Sequence, residues 1–455
     1  MTDPRPPGPR HLTPFPVSSG FRRDALGYTL RLFEQSGDVV SVRMGSRWLY
    51  FLFHPDDIEY VLQHNHRNYV KGPATRKAKV FFGRGLFTSE GPTWRRQRRL
   101  MQPTFRMAQL RSSVDAMTQC VEAAISRWEA EAGAGRSVNV VAEMRRLALS
   151  VVARALMDAE LEDDPMQRTV FETVIAHLEH RTTSFFPIPS TVPTPRNLEF
   201  RRAITRLENI AVTIIEKRRT QPERNSDLLT TLLGARDEQN GEPLAEQELR
   251  DHVRTFLFAG HETTAMTLAW AMYLIFTHPA VERRLAAEVD EVLGGRRPTA
   301  DDLKRLPYAH KVLQETLRLY PSAPFVGRQT IGEDTVRGYR IPAHTGVTMC
   351  AYVTHRHPLI WEDPERFDPE RFAPDRCAAR ARYAYFPFGG GPRMCIGSDF
   401  AMLEAQLALA MTMQRLRFEL DPSRPFAPSV RTVRPREGLW MRPQSRGPRT
   451  PHSEA

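Results

Sequence analysis

The chain has 455 residues, 41% of them hydrophobic, with 64 lysines and arginines against 53 aspartates and glutamates, a formal net charge of +11. That length and apolar content support a sizeable core, and with neither a lysine-rich run nor a nucleic-acid motif the positive excess reads as a basic surface for an acidic partner, not for DNA. Cys120, Cys350, Cys377 and Cys395 lack the spacing of a zinc site, a redox pair or a disulfide framework, which fits a reducing cytoplasm.

Residues 1–21 are Pro-rich and polar. They carry neither a signal-peptide core nor the roughly 20 apolar residues of a membrane anchor. Asp38 to Phe53 alternates around Gly45-Ser46, predicting a hairpin. A helix starts within Pro55 to His64, and an irregular Gly-rich stretch over 71–93 precedes another beginning near Trp94. Helical periodicity dominates from Ala108 to Thr183, interrupted by the polar run Glu160 to Pro165. Phe185 to Pro195 is a Pro-rich apolar loop and Asn197 to Arg219 is helical. Gln247 to Thr277 is the longest helical pattern; Gly260-His261-Glu262 in its middle argues for a buried core helix over a membrane span. Helices follow to Leu319, short strands over Gln329 to Val347, a loop-rich segment from Thr354 to Phe388, and a helix over Phe400 to Leu416. Residues 442–455 are polar with Pro and Gly and predict a disordered tail. With no linker visible, residues 22–441 read as one mostly helical α+β unit with small sheets.

The most informative run is Phe388-Gly-Gly-Gly-Pro-Arg-Met-Cys395-Ile-Gly397. A lone cysteine is ordinarily a small buried hydrophobe. Here glycines, Gly391 and Gly397 among them, permit a tight turn, and the cysteine opens a helix whose free N–H groups favour a thiolate. Arg393 keeps its charge and has the fork to grip a carboxylate; Phe388 offers a flat apolar face. Glu315 and Arg318 stand at i, i+3 among apolar neighbours, so the pair faces inward and needs further hydrogen bonds. Arg366 and Arg371, in the doubled run Asp-Pro-Glu-Arg-Phe, are the candidates, and Arg371 lies nearer the cysteine. Ala259-Gly-His-Glu262-Thr263-Thr264 breaks the local rules of a helix interior, which marks function. A zinc helix of the H-E-x-x-H type fails because the fifth residue is Ala265. Threonines that merely back-bond to helix carbonyls are the competing structural reading.

F-x-x-G-x-R-x-C-x-G over 388–397, with W-x-x-x-R at 94–98, A-G-x-E-T-T at 259–264 and E-x-x-R at 315–318, resembles the cytochrome P-450 monooxygenases, over about Arg22 to Met441. The resemblance implies haem b (iron protoporphyrin IX) between the long central helix and the cysteine-loop helix, with Cys395 as axial iron ligand. It implies propionate contacts from Arg393, Trp94, Arg98 and Arg328, and a structural Glu315–Arg318–Arg371 network. The central helix would open its hydrogen-bond ladder at the Gly and Thr, with Glu262 relaying protons and Thr263 holding oxygen-derived ligands and water. His355 and His357 are structural. Phe87, in Gly85-Leu-Phe-Thr-Ser89, and Ala259 would face substrate, and Phe185 to Pro189 an entrance. Arg47, beside Trp48 and Tyr50, would meet the carboxylate in a fatty-acid hydroxylase. Arg95, Arg96 and Arg99, with Arg376, Arg380 and Arg382, would form a docking patch for a ferredoxin or flavodoxin served by its reductase. The implied protein is a soluble, cytoplasmic, monomeric bacterial enzyme without a membrane anchor. It inserts one atom of dioxygen into an apolar fatty acid, terpenoid or similar molecule. The rival readings are a peroxide-driven peroxygenase, a haem isomerase or dehydratase, and a non-catalytic haem sensor.

Overall fold

The computed structural model describes residues 5–9, 20–21, 23–44, 47–161, 165–183, 188–221, 227–236, 241–426, 435 and 438–446. The early strands β1 (Val39–Met44) and β2 (Arg47–Leu52) pair antiparallel, Val40 opposite Phe51; their turn, Gly45-Ser46, lies outside the described residues. Strands β3 (Tyr69–Lys71), β5 (Phe325–Thr330) and β8 (Gly346–Cys350) complete a five-stranded sheet ordered β1-β2-β8-β5-β3, in which β2 and β8 run parallel. Side chains alternate across a strand, and both faces are packed. Val39, Tyr50, Leu52, Val347 and Met349 fill one cluster; Val40, Val42, Phe51 and Cys350 fill another with Leu26 and Leu32 of the helix Ala25–Ser36. Residues 5–9 dock on this sheet: Ser41 donates to Pro6 O and Pro7 O, both at 2.8 Å, and Arg5 stacks 4.0 Å above Trp48.

The helical body is built on Glu246–Thr277, 32 residues and about 48 Å long. No helix of the described residues is long and apolar enough to cross a membrane. Contrary to the expectation of an opened ladder, this central helix runs unbroken through Gly260 and Thr263. Gly260 serves packing instead: a Cβ there would sit 2.7 Å from Val152 Cγ2 of the helix Val140–Met157. Two further helices position the site, Pro307–Leu319 and Ser398–Arg415.

Strand β6 (Asp334–Val336) meets β7 (Tyr339–Ile341) across Arg337 and Gly338, whose φ values of 49° and 76° make the two-residue turn that matches strand twist. The last sheet is ordered β4 (Val138–Asn139), β10 (Trp440–Ser445), β9 (Leu416–Leu420). This corrects the tail boundary. Arg442 pairs with Glu419 and Ser445 with Leu416, so ladder bonds order residues that composition alone assigned to disorder. Residues 447–455 lie outside the described set.

Candidate active site

The cysteine loop is shaped by glycines with no alternative. Gly389 and Gly391 have φ of 70° and 64°, and a Cβ on Gly391 would fall 1.8 Å from Leu62 O. The Gly391 N–H donates to Tyr383 Oη at 2.9 Å and the Cys395 N–H to Phe388 O at 2.9 Å. Gly397 is the N-cap of the helix Ser398–Arg415, and its N–H reaches the Cys395 sulphur. Cys395 keeps an exposed surface although protein surrounds it closely, so it lines an internal recess. Burial raises its thiol pKa, and the Gly397 N–H and the Arg98 charge only partly oppose that. The helix-end N–H favours the thiolate, as the sequence suggested, and burial works against it. A bound metal cation deprotonates such a ligand outright.

Between Glu248 and Thr277 only Ala259 and Thr263 are exposed. They stand four apart, on one face of a helix otherwise turned into the core. That strip and the exposed Cys395 are the two open surfaces expected of walls on either side of a flat group.

Cations gather at the edge of this region. Arg98 donates to Met394 O at 2.9 Å, and burial lowers its pKa. Arg328 bonds the Gly327 carbonyl at 3.0 Å; burial, then Arg393, depress it to about 10. Lys71 Nζ donates to Leu86 O at 2.8 Å and Ser89 O at 2.9 Å. Burial pulls the Lys71 pKa down to about 7; Glu90 opposes this, while Arg393 and Arg328 add to it. Glu90 is the carboxylate shared by this group. It accepts the Lys71 backbone N–H and, at 2.5 Å, Arg393. Arg393 also donates to Tyr69 O at 2.9 Å and lies 5.5 Å from the Trp94 ring centroid. Arg393, expected on a propionate, thus has two of its donors engaged by protein. Lys71, Arg328 and Arg393 around the one carboxylate of Glu90, with Arg98 beside the cysteine loop, suit a dianionic group, and with the exposed Cys395 they fit haem b. Lys71 and Glu90 escaped the sequence reading because neither belongs to one of its motifs.

On the central helix, Glu262 turns away from the open strip. Arg145 of the helix Val140–Met157 binds both of its oxygens, at 2.9 and 3.0 Å, and also reaches the exposed Glu172 at 3.1 Å. Thr263 lies on the strip with its hydroxyl donating to Ala259 O at 2.7 Å, the back-bonding the sequence left open. Adjacent helix residues do not face one another, so the acid and the alcohol point to different neighbours. His261 packs against Phe171, ring centroids 4.6 Å apart and tilted by 56°, and burial holds its pKa down at about 4.

Glu315 and Arg318 form a fully buried pair at 2.6 and 2.8 Å. Arg318 also donates to His355 O, Pro364 O and Arg366 O at 2.9, 2.6 and 3.0 Å. The Arg371 guanidinium approaches Glu315 at 3.4 Å, and the Asp368 N–H reaches it at 2.9 Å. Arg371 therefore contributes its side chain and Arg366 a carbonyl. His355 Nε2 accepts the Phe386 N–H at 3.0 Å, and burial depresses its pKa to about 3; His357 bonds Asp38 at 3.0 Å. Both histidines hold the segment leading to the cysteine loop.

Phe87 is exposed and packs 4.9 Å from Phe82; Phe81 and Phe82 meet Phe258 of the central helix at 4.8 and 5.3 Å. Arg47 is exposed at the outer end of β2. Trp48 beside it is taken by Arg5, and Tyr50 is buried with its hydroxyl toward Arg340 O, so no carboxylate clamp forms from the three. Phe185 and its neighbours to 187 lie outside the described residues. The basic patch is also thinner than expected. Arg96 is paired with Glu248 at 2.6 Å, and Arg380 stacks 3.9 Å over Trp361 while donating to Arg371 O; Arg95 and Arg99 remain exposed on the helix Gly91–Met101.

The Cytochrome P450 family model matches residues 6–445. The chain is 36% identical over 409 residues to cyclooctat-9-en-7-ol 5-monooxygenase of Streptomyces melanosporofaciens, covering 87% of this chain and 88% of that one. It is 36% identical over 417 residues to pentalenene oxygenase of Streptomyces avermitilis, covering 90% and 91%. Among solved structures, retinoic acid-bound cyanobacterial CYP120A1 superposes with a TM-score of 0.85 at 28% identity, covering 98% of this chain and all of that one.

Proposed function

We propose a function from one premise: the chain belongs to the cytochrome P450 family, and so is a haem b monooxygenase. The open Cys395 sulphur facing out of a glycine-fixed loop carries the assignment to this site. When bound, the haem supplies activation of dioxygen with electrons from a separate donor. Cys395 would hold its iron, and Arg98, Arg328, Arg393 and Lys71 would balance its propionates. Thr263 holds a hydroxyl on the open face, while Glu262, paired by Arg145 toward the exposed Glu172, serves as the acid. Phe87, Ala259 and Phe258 exclude water and orient an apolar substrate.

The substrate class is a terpenoid hydrocarbon or its mono-alcohol. Two observations support this over a fatty acid: relatives at 36% identity are named cyclooctat-9-en-7-ol 5-monooxygenase and pentalenene oxygenase, and Arg47 stands exposed at the outer end of β2 with Trp48 taken by Arg5. The electron donor is a small acidic ferredoxin or flavodoxin that docks near Arg95 and Arg99.

The test is the carbon monoxide spectrum of the reduced protein, followed by a binding screen. The thiolate-type band is expected in wild type and lost in Cys395→Ala. Cyclic terpene hydrocarbons are expected to shift the haem spin state. Medium-chain fatty acids and their methyl esters are expected to bind equally weakly, with no change in Arg47→Ala. Retention of the band in Cys395→Ala would refute the ligand, and a carboxylate preference abolished by Arg47→Ala would restore the fatty-acid reading.

A further inference from the structure

The backbone carbonyl of Thr263 is a meeting point for two other hydroxyls. Thr267 Oγ1, one turn along the central helix, lies 3.0 Å from it. Ser322 Oγ, from the turn that follows the helix Pro307–Leu319, lies 2.9 Å from it. The two hydroxyl oxygens are themselves 2.9 Å apart. Two protons thus serve three contacts, and the pair can exchange partners without moving a heavy atom. Thr267 is buried, Ser322 half-buried, and the next residue, Ala323, is exposed. Pro321 and Pro324 fix the backbone on either side, and Pro324 O accepts the Ala351 N–H at 2.8 Å. The turn is therefore anchored at Pro324 and at Ser322, the latter to the central helix at the residue on the open strip.

We propose that Ser322 and Thr267 are positioning residues that fix this turn, as one wall of the substrate space, to the backbone of Thr263. This rests on the monooxygenase reading above. The substrate wall and the Thr263 hydroxyl then move as one body, so the substrate's distance from the reacting centre is set by the same bonds that hold the helix there. Sequence spacing gives Thr267 no role, since a threonine mid-helix need only back-bond to its own helix. The second hydroxyl arriving from 55 residues away makes the difference.

The experiment compares haem-loaded wild type with Ser322→Ala, Thr267→Val and Thr267→Ser. The last keeps the hydroxyl; Thr267→Val keeps the shape and covers the case that Ser322→Ala fails to fold. Product formed per electron consumed, the ratio of oxidation positions on one bound terpenoid, and hydrogen exchange at Ala323 and Phe325 are measured. Ser322→Ala and Thr267→Val are expected to keep the thiolate spectrum and the wild-type melting temperature. They should lose about 2- to 10-fold in product per electron, with a changed product ratio and faster exchange. Thr267→Ser should match wild type. Unchanged coupling and product ratio in Thr267→Val, or an equal loss in Thr267→Ser, would overturn the inference while leaving the monooxygenase reading intact. A wild type without the thiolate band would overturn both.

Discussion

Arg145 holds both carboxylate oxygens of Glu262, at 2.9 and 3.0 Å, from a helix 117 residues earlier in the chain. The Glu262 side chain is 5% exposed, and the third guanidinium contact is to the exposed Glu172. The acid proposed to handle protons is therefore fixed in a paired, inward-facing state with one charged link to the surface. Any change of partner by Glu262 must therefore break both of its bonds to Arg145.

Arg145→Met is expected to destabilise the fold by about 3–5 kcal/mol, because it removes the guanidinium that binds both oxygens of a buried carboxylate. Adding Glu262→Gln should recover most of that loss. Urea midpoints of wild type, the two single variants and the double variant test this. Additive losses in the double variant would show that the two residues do not act as a pair.

Gly260→Ala tests what the glycine is for. Helix propensity alone favours alanine by about 1 kcal/mol. The 2.7 Å approach of a Cβ to Val152 opposes it with an overpacking cost of about 1–3 kcal/mol. A net loss of stability is expected, relieved by Val152→Ala. A gain in melting temperature for Gly260→Ala alone would show that the helices part freely.

In the buried network, Glu315→Gln and Arg318→Leu are expected to lower stability by about 3–5 kcal/mol each. Both partners are fully enclosed, and Arg318 also satisfies three carbonyls. Arg371→Leu should cost less, since its guanidinium stands 3.4 Å from Glu315, and Arg366→Leu less again, since Arg366 gives only a carbonyl. Chemical denaturation ranks the four. An Arg366 variant as damaging as Arg318→Leu would contradict the geometry.

Acid should weaken the fold through buried neutral histidines. His355 and His261 have pKa values held down at about 3 and about 4 by burial, against about 6.5 when unfolded. The unfolded chain therefore binds more protons below pH 6.5, so their contribution is full above that pH and declines as pH falls toward 4 and 3. Two such groups give a slope approaching about 2.7 kcal/mol per pH unit. Urea midpoints between pH 7 and 5 should fall, and less so in His261→Phe. A midpoint flat across that range would mean that neither histidine stays neutral.

The sequence by itself determined the features that backbone chemistry writes locally. The glycine-fenced Cys395 turn, the i, i+3 pair of Glu315 and Arg318, and the long apolar helix that contains Gly260 each follow from spacing and conformational preference within a few residues. Tertiary structure decided which distant groups meet them. Arg145 and Lys71 stand in ordinary helical and strand surroundings, and nothing in their own neighbourhoods announces Glu262 or the cation cluster. The same holds for Arg393, which shares Glu90 and Tyr69, and for Gly260, whose need is set by Val152. Arg442 to Ser445 is polar enough to predict a loose tail, yet becomes a strand because β9 offers unpaired backbone donors and acceptors. The physical reason is one of range. Dihedral preference and side-chain period act over a turn or a few residues, whereas charge pairing, close approach and ladder bonds depend on which surfaces the packed core brings together.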